Sequence, residues 1–288
     1  MDLARALGWL TPDLYRTSPR ARPKALTAWH TPSYVAALQR VEPAARVEQA
    51  LPADPDAPAP ETLELNGFDG VFLTGSPIHV YDQTPASERT IAFMRAVFAA
   101  GTPSFGSCAG LQVAVVAAGG TVRPLRAPRE AGFARRVWPT AEGRDHPLLR
   151  GRPLAFDAPT LHGDEVDRLP DGALHLAGNR NTAVQAAEIR CGPGIFWGVQ
   201  YHPELTLVEV AAALRRDADT IVEEGLARSG DDVEAQAALV EALTHEPTRP
   251  DLLWRLGLDE QITDDDLRQT ELRNFINHLV RPTRDRRR

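Results

Sequence analysis

The chain counts 288 residues, 43% hydrophobic and 25% charged, enough for a full core and for one large or two modest domains. A net charge of −7 argues against nucleic acid as the main partner, and no apolar run is long enough to span a membrane. Two cysteines, Cys108 and Cys191, lack paired metal-ligand spacing, which argues against a disulfide scaffold or a structural zinc site and for a reducing compartment.

Residues 1–24 carry little pattern: Met1 to Leu10 is compatible with a short helix, and prolines follow. Ala25 to His30 suits a first strand, and Ser33 suits the cap of a helix through Arg40. Leu51 to Pro60, rich in Pro, Ala and Asp, is a loop. Phe68 to Thr74 holds a continuous apolar run, as expected of a strand in a parallel sheet covered on both faces. A tight Thr74-Gly75-Ser76-Pro77 loop ends it. Ser87 to Ala100 is an amphipathic helix that buries Ile91, Met94, Val97 and Phe98, and Gly101 stops it.

The stretch Pro103 to Gln112 then reads Pro-Ser-Phe-Gly-Ser-Cys-Ala-Gly-Leu-Gln. A short extended run meets a cysteine flanked by Gly106 and Gly110, and a helical run follows at once. This is the strand–turn–helix pattern of a nucleophile elbow, with Cys in place of Ser. The turn would lift the sulfur to a helix N-terminus, where backbone N–H groups favour thiolate. Taken alone, Cys108 is equally well a small buried hydrophobe.

Thr121 to Leu161 is strand-rich and antiparallel in pattern, with turns at Pro139–Gly143 and Gly151–Pro153. Ala173 to Ala177, Ala183 to Ala187 and Gly194 to Gln200 are further strands. The last runs into His202, Pro203 and Glu204. In an extended segment residues i and i+2 share a face, and Pro203 pushes His202 toward extended geometry. Imidazole and carboxylate would then sit side by side, the base and orienter of a nucleophile–base–orienter triad. Taken alone, the tripeptide is also a common surface turn. Beyond Leu205 helical patterns dominate, over Leu207–Ala227, Asp232–Leu243 and Asp265–Val280. The five arginines among the last eight residues suit a solvated tail.

Strand and helix alternate as in an α/β sheet, and both signals would lie at the carboxyl ends of strands, where such sheets place their sites. In that order they resemble the class I glutamine amidotransferases. The resemblance rests on Gly-x-Cys-x-Gly-x-Gln (Gly106 to Gln112), His-Pro-Glu (His202 to Glu204), Thr-Gly-Ser-Pro (Thr74 to Pro77) and His-Gly-Asp-Glu-Val (His162 to Val166). Glu130 to Arg136, Glu-Ala-Gly-Phe-Ala-Arg-Arg, is similar to the GMP-synthetase glutaminase type. The likeness spans Phe68 to Glu204 closely and Ala25 to Phe68 loosely.

The resemblance implies a mostly parallel central sheet flanked by helices in flavodoxin-like layers, and the helical patterns from Gly230 read as a C-terminal extension packed on that domain. The chain is thus expected to divide into an N-terminal segment (1–24), an amidotransferase domain (25–229) and the extension (230–288). It implies Cys108 as nucleophile, His202 as acid and base, and Glu204 as orienter. Backbone N–H groups of Ser76 and Ala109 would form the oxyanion hole. Gly75, Gln112, Leu161, Gly163 and Asp164 would line the pocket for L-glutamine. Ser76 stands where relatives often have glycine, and Leu161 replaces a more polar residue of some members. His162 is expected as a structural histidine beside the pocket, Tyr81 and Asp82 as plain loop or else as the rim of the site, and His79 and His146 as solvated or core residues without a partner pattern. The implied activity is hydrolysis of the glutamine side-chain amide to glutamate and ammonia through a cysteinyl thioester. Ammonia would pass to an amide-forming synthase or ligase subunit, since the chain lacks an ATP-pyrophosphatase signature. No metal or other cofactor is implied. A γ-glutamyl hydrolase with the same triad and a catalytically silent binding module are the alternatives. Cysteine peptidases of the related sheet fit less well, because Ser104 to Ser107 offers no carboxylate near the elbow. The absence of a signal-peptide core near Met1 makes the cytoplasm the expected compartment, and a homodimer is left open.

Overall fold

The alternation of apolar side chains along short strands decides how this chain layers. The computed structural model describes residues 24–28, 32–60 and 63–287; the helix expected over Met1 to Leu10 lies outside them. The first elements are β1 (Lys24–Ala28), α1 (Pro32–Val41) and β2 (Arg46–Ala50). Next come β3 (Gly70–Leu73), α2 (Pro85–Ala100), β4 (Ser104–Ser107) and α3 (Ala109–Ala117). The middle holds β5 (Thr121–Pro124), β6 (Glu130–Pro139), α4 (Ala141–Arg144), β7 (Phe156–His162), β8 (Asp164–Arg168), β9 (Leu174–Gly178), β10 (Ala186–Cys191) and β11 (Gly194–Val199). The rest is helical: α5 (Leu207–Arg216), α6 (Ala218–Glu223), α7 (Gly230–His245), α8 (Pro250–Leu256), α9 (Glu260–Thr263), α10 (Asp265–Arg268), α11 (Thr270–Phe275), a π turn over Ile276–Val280, and α12 (Arg281–Arg287).

Among the described residues the main sheet runs β2-β1-β3-β4-β11-β10-β9-β6-β7. From β2 to β11 every pairing is parallel, and from β11 outward every pairing is antiparallel. The period of two sorts the core. Val71 and Leu73 face α2 and α3 with Phe93, Met94, Leu111 and Val115. Phe72 and Phe105 face the other way, onto Tyr34 and Leu38 of α1 and Leu272 and Phe275 of α11. Helices thus cover both faces of the parallel half, which is the layered architecture that the sequence implies. A third cluster packs Phe133 of β6 under α5, α7 and α8. Among the described residues no helix is long and apolar enough to cross a membrane.

Several local expectations shift. Pro32 opens α1, so Ser33 sits in the first turn rather than at the cap; proline suits this place because its missing N–H would be unpaired anyway. The helix expected from Ser87 begins at Pro85, because the Thr84 hydroxyl accepts the Ser87 N–H at 3.2 Å. Strand β2 has no counterpart in the expectations: Arg-Val-Glu-Gln-Ala is an edge strand with one large apolar residue. The helix expected over Asp265–Val280 is broken between α10 and α11, where the Thr270 hydroxyl donates to the Leu267 carbonyl at 2.6 Å.

The C-terminal helices divide their packing. Helices α7 and α8 lie over β6 and α5, whereas α11 and the π turn enter the core of the sheet itself. Phe275 is fully buried and stacks edge-on against Phe72, 5.2 Å between ring centres. Replacing Phe275 by Ala is expected to cost about 3–5 kcal/mol, read as a lowered denaturant midpoint at unchanged slope.

Candidate active site

The elbow forms as the sequence predicts. Cys108 stands between β4 and α3 with φ 53° and ψ −114°, left-handed backbone that costs a non-glycine residue roughly 1–3 kcal/mol. Its neighbours over-determine it. The Cys108 N–H donates to the Val199 carbonyl of β11 at 2.9 Å, and the Cys108 carbonyl accepts from Gln112 N–H at 3.2 Å. Gly110 is needed for close approach: a methyl there would lie 2.4 Å from the Leu73 carbonyl oxygen. Ala109 opens α3, so its N–H has no carbonyl one turn back.

His202 and Glu204 follow β11. Their segment is a turn rather than the extended run expected: the Leu205 N–H donates to the His202 carbonyl at 3.3 Å, with Pro203 at the second position, where its fixed φ suits a turn. The turn brings the same side chains together. His202 Nδ1 meets Glu204 Oε1 at 2.7 Å, and both residues are buried. The same carboxylate oxygen accepts from the Ser107 hydroxyl at 3.0 Å.

Among the described residues strand β7 is the edge of the sheet, and its outward carbonyls join the two halves. The Pro159 carbonyl accepts the His202 N–H at 2.7 Å. Two residues on, the Leu161 carbonyl lies 3.9 Å from the Cys108 sulfur. Burial would lower the His202 pKa, but the Glu204 carboxylate and the adjacent Cys108 sulfur, through charge and hydrogen bonding, raise it to about 10. Imidazole and carboxylate are thus paired directly, and strand β7 ties Cys108 and His202 to the same edge through its Leu161 and Pro159 carbonyls.

The remaining candidate residues surround this group. Gly75 abuts the ring: a methyl there would come 2.7 Å from His202 Cε1. The Ser76 hydroxyl is turned onto its own loop, accepting the Ile78 N–H at 3.2 Å. The Gln112 amide is buried and donates to the Asp164 carbonyl and to Gln200 Oε1, each at 3.2 Å; its side chain is spent on the protein. The Gly163 carbonyl accepts from Leu125 N–H at 2.8 Å. The Asp164 carboxylate meets His79 Nδ1 at 2.6 Å and accepts from the Tyr81 hydroxyl at 2.8 Å. His79 thus has a partner that no sequence pattern indicated, and Tyr81 is no plain loop residue. Desolvation and the Asp164 hydrogen bond hold the Tyr81 phenol well above its ordinary pKa. His146 likewise has a partner, Glu188, at 3.1 Å.

Glu130, which carried no assigned role, proves central to the supporting shell. Its buried carboxylate faces His162 Nε2 at 3.0 Å and accepts from Asn179, Thr182 and Gln185. Burial pushes its pKa up, but His162, Asn179 and Gln185 bring it below the usual value. His162 Nδ1 faces the Asp164 carbonyl at 2.9 Å, so the network pins the turn between β7 and β8. This bears out the structural role expected of His162. Among the described residues no cluster of His, Cys, Asp and Glu could hold a metal ion.

The model of the class I glutamine amidotransferase family matches residues 45–218. The chain belongs to this family. It is an amide-hydrolysing enzyme related to the γ-glutamyl-L-1-hydroxyisopropylamide hydrolase of a Pseudomonas species, at 42% identity over 84% of this chain and 82% of that one. The GMP synthase of Wolinella succinogenes is 32% identical over 53% of this amidotransferase but over only 28% of the synthase. Among solved structures, a glutamine amidotransferase of Thermotoga maritima superposes with a TM-score of 0.59 at 18% identity, covering 91% of this chain and 99% of that one. One from Methylobacillus flagellatus gives 0.57 at 21% identity, covering 91% and 94%. At such identities these two show the shared fold.

The raised pKa of His202 has a consequence for stability. A group whose folded-state value lies above its ordinary 6.5 stabilises the fold fully below that pH and loses the contribution as pH rises through about 10. The melting-temperature difference between wild type and His202→Gln is expected to be largest below pH 6.5 and to shrink steadily toward pH 10.

Proposed function

We propose that this amidotransferase-family enzyme hydrolyses the γ-glutamyl amide of a small alkylamine to glutamate and free amine. The observation that carries this reading is the likeness to the γ-glutamyl-L-1-hydroxyisopropylamide hydrolase, which runs along most of both chains. The likeness to GMP synthases covers only about a quarter of those proteins. Glutamine, whose leaving group is ammonia, is the second reading; the family match supports it, and in that case an amide-forming synthase would consume the ammonia.

The chemistry is the same for either leaving group. The Cys108 sulfur attacks the side-chain carbonyl carbon, and the C–N bond breaks as His202 gives its proton to the departing nitrogen. A water molecule then attacks the thioester while His202 takes its proton, and glutamate leaves as the sulfur regains its starting form. Glu204 holds the ring with Nδ1 toward itself and Nε2 toward the reacting atoms. The N–H groups of Ser76 and Ala109 would meet the oxyanion, one such donor being worth roughly 10²–10³ in rate. The carbonyl and backbone groups of Gly75, Leu161, Gly163 and Asp164 would frame the glutamyl moiety, with Gln112 holding α3 against β8 behind them. Supporting these roles are the shared Glu204 oxygen, the Leu161 carbonyl beside the sulfur and the seat of the His202 ring on Gly75. We also assign residues 25–229 as the catalytic domain and 230–288 as an extension that shares its core.

Cys108→Ala is expected to lower turnover of any γ-glutamyl substrate by at least about 10³-fold, as loss of an attacking nucleophile does; wild-type turnover in that variant would reject the mechanism. Comparing kcat/KM for γ-glutamyl-alkylamides against glutamine tests the leaving group. A preference for the alkylamides is expected, and a preference for glutamine would give the second reading.

A further inference from the structure

The triad has a back wall that the mechanism above does not use. Glu204 Oε1 receives two donors, His202 Nδ1–H and the Ser107 hydroxyl, while Oε2 is buried with no partner among the described residues. Ser107 is fully buried and immediately precedes Cys108 in the elbow. Tyr34 of α1 is also fully buried. Among the described residues the Tyr34 hydroxyl completes no hydrogen bond, although Ser107 and the Glu204 charge both act on it.

A serine hydroxyl donates once and accepts twice. With its one proton given to Glu204, Ser107 can accept only, and the phenol beside it is the available donor. Burial, reinforced by the Glu204 charge, holds the Tyr34 pKa well above its ordinary value, although the Ser107 contact opposes this, so Tyr34 keeps the proton such a bond needs. With Tyr34 donating to Ser107, both hydroxyls point toward the carboxylate of Glu204. The Ser107 and His202 contacts fall on one oxygen of it, and that oxygen holds the ring.

We propose that Ser107 and Tyr34 are positioning residues of this active site, forming a buried relay that orients Glu204 and, through it, His202. The relay rests on the triad reading given above. It also makes the elbow serve two ends: the turn that lifts the Cys108 sulfur sets the hydroxyl behind Glu204, so nucleophile and orienter share one piece of backbone.

The test uses the full chain carrying Ser107→Ala or Tyr34→Phe, with whichever γ-glutamyl amide the wild type turns over. Active sites are counted by iodoacetamide labelling of Cys108, and the pH dependence of that labelling is recorded. For Ser107→Ala the expected result is a fall in kcat per counted site on the order of tenfold, the loss of one hydrogen bond to a charged group. KM should stay within about twofold, as when an interaction acts on the reaction step alone, and the alkaline limb of labelling should move down as Glu204 loosens its hold on the His202 proton. Tyr34→Phe removes a hydroxyl with no completed bond, so a packing role alone predicts unchanged activity and equal or higher stability. The relay predicts a several-fold fall in kcat, with the double variant no worse than Ser107→Ala because the two act as a unit. Wild-type kcat per counted site in either single variant, or a fall in Ser107→Ala with the labelling limb unmoved, overturns the proposal. Failure of the triad reading itself would show separately, as turnover retained in Cys108→Ala.

Discussion

The strained turn at Cys108 is the constraint on which the rest of this molecule depends. Left-handed backbone at a residue with a side chain is unfavourable on its own and persists only where surroundings hold it. Here β3 and β11 flank β4, Val199 takes the Cys108 N–H, and α3 starts at the next residue. The same pinning explains why Gly110 has no room for a side chain: the first turn of α3 presses on the Leu73 carbonyl.

A second constraint closes the site from the side. An edge strand normally exposes a row of unpaired backbone groups, a hazard for wrong pairing. Edge strand β7 spends two of its outward carbonyls, Pro159 and Leu161, on the His202 N–H and on the Cys108 sulfur. The antiparallel half of the sheet is thus the wall that brings an elbow and a later turn within reach of each other. The Glu130 network stiffens that wall. A carboxylate this deep is tolerable because its acceptors are met by several donors, and a partly satisfied network would be worse than none.

What could be read in the sequence follows from the range of the interactions involved. The elbow was legible because its demands are local: Gly106 and Gly110 flank Cys108 within two residues. His202 and Glu204 were legible for the same reason, although Pro203 makes a turn where extended chain was expected. The supporting shell was not legible. Ser107 meets Glu204 across 97 positions, and Glu130 meets His162 across 32. A serine before a cysteine, or a glutamate that opens a strand, has no local pattern that announces a distant partner. His79 shows this most clearly, an ordinary loop histidine until Asp164 arrives 85 residues later. Breaks in the last helices were hidden for the complementary reason: a capped amphipathic pattern with no Pro or Gly gives no warning that the Thr270 hydroxyl will take a main-chain carbonyl.

The last helical pattern places Leu267, Leu272, Phe275, Ile276 and Leu279 on one face of an extension expected to pack on the main domain. Leu272, Phe275, Ile276 and Leu279 lie in the core beneath the parallel sheet, beside Phe72, Phe105 and Trp197, whereas Leu267 is only partly buried. Just before them, Glu271 is wholly buried and holds Arg152 through two 2.7 Å contacts while accepting from the Tyr201 hydroxyl at 2.9 Å. Tyr201 is the residue before His202. Separating α11 from the sheet would leave the Arg152 guanidinium buried without its carboxylate, and breaking such a pair from one side typically costs about 3–5 kcal/mol. The apolar stripe is therefore not free to bind anything else while the fold is intact. Any partner of this enzyme has to be received on another face, and the segment's own contribution is to hold the strand end from which His202 departs.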